Sequence, residues 1–464
     1  MIVRTVRSRS MLANHRLDSK YYLSPGTQAA ERIAVCKASG VTTALLGGVD
    51  GIARSVSAPN RFKRVYATVA EQAAPYLRPY DVFDYLPLAA DLLSVDRSPN
   101  LPQLQVRRGM LLQTCSGRNL GPAVAVDEFL ERFAISHDMV RIAIDDERLR
   151  HYVLGFLTSP TGQALLRRDK TGSVIDHISP SHVQDLEVPI LDSSTVTIVS
   201  RLIGKAIGLR EQARLDIDAE VTRYSRSLPP LLGGAHHKEG WTQTAASLDG
   251  RIDAQFHEPA AKQIGIDLLA SGGTRLIDVA EVLKPAGRYK TFYVGRDFGS
   301  PMLSGRQVLQ AHTVNLQYLS PRSIGSPRKY ILDSGWIAFQ ADGRAEERLG
   351  VPAMVTPDRA GWMASGHIGR LVPRSGVDAG WLYAAFATPQ VQAQVKALAC
   401  GSVVDALYPE DLAAVVLPAA GDLDTSKVSN AWRSFAAAQA QQDAAISRVE
   451  ATITEITGEE QIPA

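Results

Sequence analysis

The side chains best suited to chemistry in this 464-residue chain are cations set in glycine-flanked segments. Gly117-Arg118-Asn119-Leu120-Gly121 places a guanidinium beside a carboxamide between two glycines. Gly343-Arg344-Ala345-Glu346-Glu347-Arg348-Leu349-Gly350 places two guanidiniums in a similar frame. A guanidinium fork matches the O6 and N7 edge of guanine, and a carboxamide matches N6 and N7 of adenine, so such loops can read base edges. Lys63, Arg64, Arg78, Lys290 and Arg306 have the chemistry of phosphate contacts, which orient a nucleic acid without selecting its sequence. Ser136 and His137 are weaker polar candidates, because a histidine beside a strand is more often satisfied by its own fold. For each of these residues the plain alternative is a solvated surface group.

Other chemistries find no support in the residue pattern. There is no G-x-x-x-x-G-K-[ST] phosphate loop, no G-x-G-x-x-G fingerprint, no H-E-x-x-H and no Asn-Pro-Pro-Tyr-like string. His236-His237 lacks further ligand-type neighbours, and the three cysteines, Cys36, Cys115 and Cys400, lack metal spacing, so no metal site is expected. Scattered carboxylates such as Asp333, Asp342 and Glu346 leave a cryptic nuclease as a third-rank reading. No catalytic residue and no cofactor is assigned to this polypeptide. The net charge of +2 is a weak signal for a nucleic-acid binder, but local clusters such as Arg61, Lys63 and Arg64 can still make phosphate-binding surface. No apolar run is long enough for a signal peptide or a membrane span, so the chain reads as soluble and cytoplasmic.

The elements that position these groups are written twice. Gly172-Ser173-Val174-Ile175-Asp176 returns 229 positions later as Gly401-Ser402-Val403-Val404-Asp405. Pro160, Pro180 and Pro189 recur as Pro389, Pro409 and Pro418, and the Ser136-to-Arg141 spacing recurs as Ser365 to Arg370. Near the start, Arg16-Leu17-Asp18 matches Arg251-Ile252-Asp253 at an offset of 235, a net change of six residues that loops absorb cheaply. The period is too long for a solenoid and indicates two tandem domains. Each copy shows short β-branched or aromatic runs: Val65–Thr68, Gly109–Thr114 and Met139–Ile144 in the first, Thr291–Val294, Gly335–Gln340 and His367–Val372 in the second. Helical stretches at 146–157 and 379–386 close on Pro160 and Pro389. The fold class is therefore α+β, in two repeated units.

Each unit is followed by a long heptad-patterned helix. The second seam runs Val428, Trp432, Phe435, Gln439, Gln442, Ile446, Val449, Ile453 and Ile456; the first runs Val199, Leu202, Ala206, Leu209, Ala213, Ile217, Val221 and Tyr224. Caps are expected around Ser193-Ser194 and Asp424-Thr425. Core helices or a homodimeric coiled coil would also satisfy such seams. Because the chain can reverse at Leu228-Pro229-Pro230-Leu231-Leu232-Gly233-Gly234, an intramolecular antiparallel coiled coil is the simpler solution. Leu202, Leu209, Ile217, Trp432, Phe435, Ile446, Val449 and Ile453 are the expected pairing residues, with Gln439 and Gln442 setting register. Helices of about 30 residues, at 1.5 Å rise, reach roughly 45 Å and suit a strut holding two units apart.

Together these strings resemble a known family. Pro75-Tyr76-Leu77-Arg78-Pro79-Tyr80-Asp81-Val82, Gly109-Met110-Leu111-Leu112 with Gly117-Arg118-Asn119-Leu120-Gly121, and Ile135-Ser136-His137-Asp138-Met139-Val140-Arg141 look like a target recognition domain of the specificity (S) subunit of type I restriction-modification enzymes. Phe156-Leu157-Thr158-Ser159-Pro160, the Gly172–Ser179 string and Leu186-Glu187-Val188-Pro189 continue the likeness, which covers almost the whole chain. The second copy departs from the pattern: Gln307-Val308 stands in place of Asp81-Val82, and the tail survives as Phe386-Ala387-Thr388-Pro389. The resemblance implies a first target recognition domain at 1–192, a spacer helix at 193–228, a connector at 229–245, a second recognition domain at 246–421 and a second spacer helix at 422–458. It implies a DNA-specificity subunit in a phage-defence system, which reads a split site on double-stranded DNA, one half per domain. Two methyltransferase subunits that use S-adenosylmethionine at adenine N6 are its implied partners, and a motor-nuclease subunit joins them to cleave unmodified DNA. The competing class is a non-catalytic protein-binding scaffold without sequence readout; a steep salt dependence of DNA binding separates the two.

Overall fold

The computed structural model describes residues 22, 24–68, 71–117, 120–168, 177–231, 241–248, 250–284, 291–323 and 330–459. Its contacts divide into two compact units that do not follow sequence order. One comprises residues 1–83, 87–211 and 437–464, and the other residues 84–86 and 212–436. Each unit therefore contains one α+β head and part of both long helices, Ser193–Arg226 and Thr425–Thr457.

In the first unit a four-stranded antiparallel sheet runs in the order Ser55–Ser57, Met139–Ala143, Leu111–Thr114, Ala123–Ala125. A smaller sheet sets Ala73–Leu77 antiparallel to Asp91–Ser94 and parallel to Ala134–Ile135, and Thr42–Leu45 pairs with Glu187–Ile190. The second unit repeats this plan. Its four-stranded sheet runs Ala280–Leu283, Ile368–Pro373, Ile337–Gln340, Pro352–Met354. Its smaller sheet again contains one parallel pair, Ser300–Leu303 with Met363–Ala364, and Thr274–Arg275 pairs with Val416–Leu417. The duplication seen in the prolines is thus a duplication of topology.

Local chemistry explains the repeated helices. Ser159 caps Pro160–Leu166 by accepting from Gly162 N, and Thr388 caps Pro389–Ala397 by accepting from Val391 N, with proline in the first turn of each. The prolines expected to end helices begin new ones, because the missing N–H of a first-turn proline would have had no helical acceptor. Glu147–Thr158 and Ala379–Ala387 precede them, capped by Asp146 and Asp378. Val65–Thr68, expected as a strand, contributes a single bridge from Tyr66 to Leu93.

The long helices pair antiparallel within each unit. In the first, Thr195 Oγ1 lies 3.3 Å from Thr452 Oγ1, and Arg210 Nη2 donates to Gln442 Oε1 at 3.1 Å. In the second, Lys427 Nζ reaches Asp216 at 3.3 Å and Glu220 at 3.5 Å, and Arg223 reaches Asp422 at 2.5 Å. Ile217, Trp432, Phe435, Val449 and Ile453 are buried, while Leu202, Leu209 and Ile446 are half-buried. The seam on the second helix departs from the expected one after Phe435. Ala438 and Ala445 are fully buried where Gln439 and Ile446 were expected, so one polar position sets register rather than two. Gln442 is buried and bonded across to Arg210, whereas Gln439 donates along its own helix to Asp443. The first helix is capped one residue earlier than expected, by Asp192 Oδ1 accepting from Thr195 N. Among the described residues no helix is long and apolar enough to cross a membrane.

Candidate nucleic-acid interface

In the first unit the central hairpin Leu111–Thr114/Ala123–Ala125 carries the loop in which Arg118 and Asn119 lie; these two residues fall outside the described ones, as does Lys290. The ends of the loop are fixed. Gly117 and Gly121 adopt φ of +100° and +105°, a region that L side chains rarely enter. Gln163 Nε2 donates to Gly121 O at 2.8 Å, and Ile178 N donates to Cys115 O at 2.9 Å, crossing the tail of the unit over the loop base. Ser116 Oγ meets His177 Nδ1 at 2.9 Å.

The second unit holds its loop in the same way. Gln392 Nε2 donates to Gly350 O at 3.1 Å, and Leu407 N donates to Ala341 O at 2.8 Å. Gly350 has φ +77°. The repeated Gly401–Asp405 string is part of this anchor, since Asp342–Gly343 pairs with Asp405–Ala406 and Asp405 Oδ2 accepts from Ala345 N at 2.9 Å. Gln163 and Gln392 were not among the sequence candidates, although they share the 229-residue offset of the prolines that flank them. An uncharged residue that bonds only to backbone leaves no motif.

The sequence candidates fall into three groups. Lys63, Arg78 and Arg344 are exposed, as is Arg61 beside them. Arg61 pairs with Asp138 at 2.8 Å and Arg78 with Asp91 at 3.0 Å, both at the surface. Exposed pairs of this kind contribute only about 0–1 kcal/mol, so exchanging the carboxylate for a phosphate oxygen is inexpensive. A second group is held by the fold but keeps partial exposure. Arg64 donates to Tyr76 Oη at 2.9 Å and lies over that ring, and Arg306 Nη2 is 3.9 Å from Asp84.

The third group corrects the sequence reading. Arg348 is 6% exposed and forms an ion pair with buried Asp84 at 2.8 Å, so it is a framework residue and not a base reader. Ser136 is 1% exposed; its N–H donates to Leu77 O and its Oγ accepts from Asp138 N, which makes it part of a strand junction. Ser365 N donates to Leu303 O in the equivalent place. His137 is largely buried between Phe62 and Asp138, and burial holds its pKa below the ordinary histidine value in spite of Asp138. Its ring is neutral near pH 7 and suits a packing role. Among the proposed nuclease carboxylates, Asp342 is taken up by Lys284 and His367, each at 2.7 Å, and Asp333 accepts from Ser334 N.

The second strand of each four-stranded sheet carries a buried arginine bonded to backbone carbonyls. Arg141 donates to the carbonyls of Ile135, Met139 and Leu104, and Arg370 donates to that of Ile331. Burial lowers both pKa values, that of Arg141 to about 10, so Arg141 still carries its charge at neutral pH. The framework is thus repeated closely, while the residue types between the glycines differ between the copies. Among the described residues no group of three or more His, Cys, Asp or Glu could hold a metal ion.

No protein-family model matches the chain, and no curated protein matches it. Solved structures are similar along most of its length. The type I restriction-modification S subunit from M. genitalium shares 12% identity, with 90% of this chain and 95% of that one covered at a TM-score of 0.28. The HsdS subunit from Thermoanaerobacter tengcongensis shares 13%, covering 89% and 96% at 0.26. A chain solved in work on complex assembly and conformational transition of the type I restriction-modification system shares 15%, covering 90% and 97% at 0.28.

Proposed function

We propose that this chain is a DNA-specificity subunit of the type I restriction-modification kind, which binds a bipartite site on double-stranded DNA and directs a partner adenine-N6 methyltransferase to it. The observation that carries the reading is the pairing of a repeated loop anchor with unlike loop residues. Gln163 with Ile178, and Gln392 with Leu407, fix the two hairpin loops by equivalent bonds, yet the loops carry Arg118-Asn119 in one copy and Arg344 in the other. One framework built twice around loops of different sequence is what two readers of different half-sites require. Exposed Lys63 and Arg78 supply phosphate contacts that position the first reader, while the loop residues discriminate bases.

Chemistry belongs to the partners in this reading. Two methyltransferase subunits bring S-adenosylmethionine, a motor-nuclease subunit joins in restriction, and the paired long helices set the half-site spacing, all in the cytoplasm. Sequencing the methylome with and without this chain tests the proposal: methylation of one bipartite motif must appear with the chain and vanish without it. Binding of the purified complex to that duplex should weaken steeply as salt rises, since phosphate contacts release counterions. A flat salt response and no motif would leave the protein-scaffold reading.

A further inference from the structure

The second unit contains three residues numbered within the first repeat, Asp84-Tyr85-Leu86. They are not a loose addition. The Asp84 side chain is 1% exposed and lies 2.8 Å from Arg348 Nη1 and 3.9 Å from Arg306 Nη2. Arg214 donates to the carbonyls of Asp84 at 2.7 Å and Tyr85 at 2.9 Å, and Tyr85 N donates to Leu309 O. The Tyr85 ring packs edge-on against Trp432 and Phe435, each at 4.9 Å, with the Arg359 guanidinium over its face. One buried carboxylate thus faces two guanidiniums, and a third holds its backbone.

Arg348 lies four residues after exposed Arg344 and two before Gly350, the residue that Gln392 anchors. We propose that Asp84 is a positioning residue for this second recognition loop, so that one half-site is read only as well as a residue of the first repeat allows. The inference rests on the reading of the two loops as half-site readers. Its physical basis is that a buried ion pair loses its balance when one charge is removed, because the remaining charge keeps its desolvation cost without its partner. Arg348 must then seek water, and the segment from 343 to 350 loses one of its fixed points. A consequence for chimeras follows: replacing the first recognition segment wholesale removes Asp84 and disturbs the second loop, unless Asp84-Tyr85-Leu86 is retained.

The test uses the full chain with its methyltransferase. Methylomes are compared for the unsubstituted chain, Asp84→Asn and Arg344→Ala, and backbone hydrogen exchange over 342–350 is followed in the purified chain. The expected result for Asp84→Asn is a loss of base discrimination of about tenfold or more, the scale of one charge-assisted hydrogen bond, over one contiguous block of the motif. That block is the one Arg344→Ala relaxes; the other is kept, and exchange over 342–350 accelerates while that over 111–125 does not. Both blocks unchanged, or both relaxed alike, would overturn the proposal, since a general packing role cannot spare one half-site. If the unsubstituted chain directs methylation to no motif, the functional reading fails, and unaltered exchange at 342–350 still overturns the positioning role on its own. Arg348→Lys, which keeps the charge but not the fork, replaces Asp84→Asn if that variant does not fold.

Discussion

Gln163 and Gln392, 229 positions apart, perform the same task in their respective units. Each carboxamide donates to the carbonyl of a left-handed glycine that closes a hairpin loop, Gly121 or Gly350, and to a helix carbonyl, Leu157 or Phe386. The two donations use both N–H groups of one amide, which ties the loop to the end of a helix through a single rigid plane. The head can therefore vary what the loop displays without losing where the loop begins and ends.

Gln163→Ala or Gln392→Ala should lower stability by roughly 1–3 kcal/mol, from two lost hydrogen bonds at a half-buried site. The glutamate variants should be worse than the alanine variants, because a carboxylate would face two carbonyl oxygens. Urea denaturation measures the difference, and a midpoint for Gln392→Ala equal to that of the unsubstituted chain would show that the bonds contribute nothing.

Gly121→Ala tests the loop end from the other side. A Cβ there would fall 2.7 Å from Gln163 Oε1, at a φ of +105°. Gly250 has φ +77° with nothing within 4 Å, so Gly250→Ala carries backbone strain alone, about 1–2 kcal/mol. Gly121→Ala should exceed it and should also weaken DNA binding, which a filter or polarisation assay on the methylome-defined duplex would read.

Arg32 and Glu450 form a deeply buried ion pair in the first unit, at 3.0 Å, with side-chain exposures of 1% and 2%. Thr161 N and Oγ1 and Thr454 Oγ1 complete the network. Glu450→Gln should cost about 3–5 kcal/mol, because it strands the Arg32 charge, whereas the double change Arg32→Met with Glu450→Leu should recover much of that loss. A double-mutant cycle by denaturation decides it, with additive losses as the contrary outcome.

Much of this arrangement was legible in the sequence, and the reasons differ from element to element. The recurrence of Pro160, Pro180 and Pro189 at one offset made the duplication readable, and the heptad seams made both long helices readable, but whether Pro160 ends a helix or begins one depends on the Ser159 cap beside it. Arg348 and Ser136 were misjudged because their partners, Asp84 and Leu77 O, are distant in sequence or belong to the backbone, and burial has no local signature in a polar residue. The helix seam drifted at Ala438 for a related reason. An alanine is small enough to sit on either side of a heptad seam, and only the opposing helix decides which side closes.

Acidification should destabilise the first unit through its buried histidines. His137 and His151 both have pKa values lowered chiefly by burial, against the opposing pull of Asp138 and Glu147. The native state favours neutral rings while the unfolded chain binds protons near 6.5, the ordinary histidine value. Their contribution is therefore complete above about pH 6.5 and declines as pH falls from there through the lower native values. Melting temperature measured from pH 7.5 to 5 should fall, and it should fall less for His151→Gln; parallel curves would remove His151 from the account.

Thiol chemistry gives an independent check on burial. Cys36 and Cys115 are buried, and burial raises both pKa values, that of Cys115 to about 11, while Cys400 is exposed. The thiolate is the nucleophile, so a group that is both inaccessible and protonated reacts slowly. A thiol-specific alkylating reagent at pH 8 should therefore label Cys400 in the folded chain and all three cysteines in denaturant, as read by intact-mass measurement. Rapid native labelling of Cys115 would mean that the base of the 115–121 loop, where Cys115 O accepts from Ile178 N, opens readily, and the anchor described for that loop would lose its rigidity.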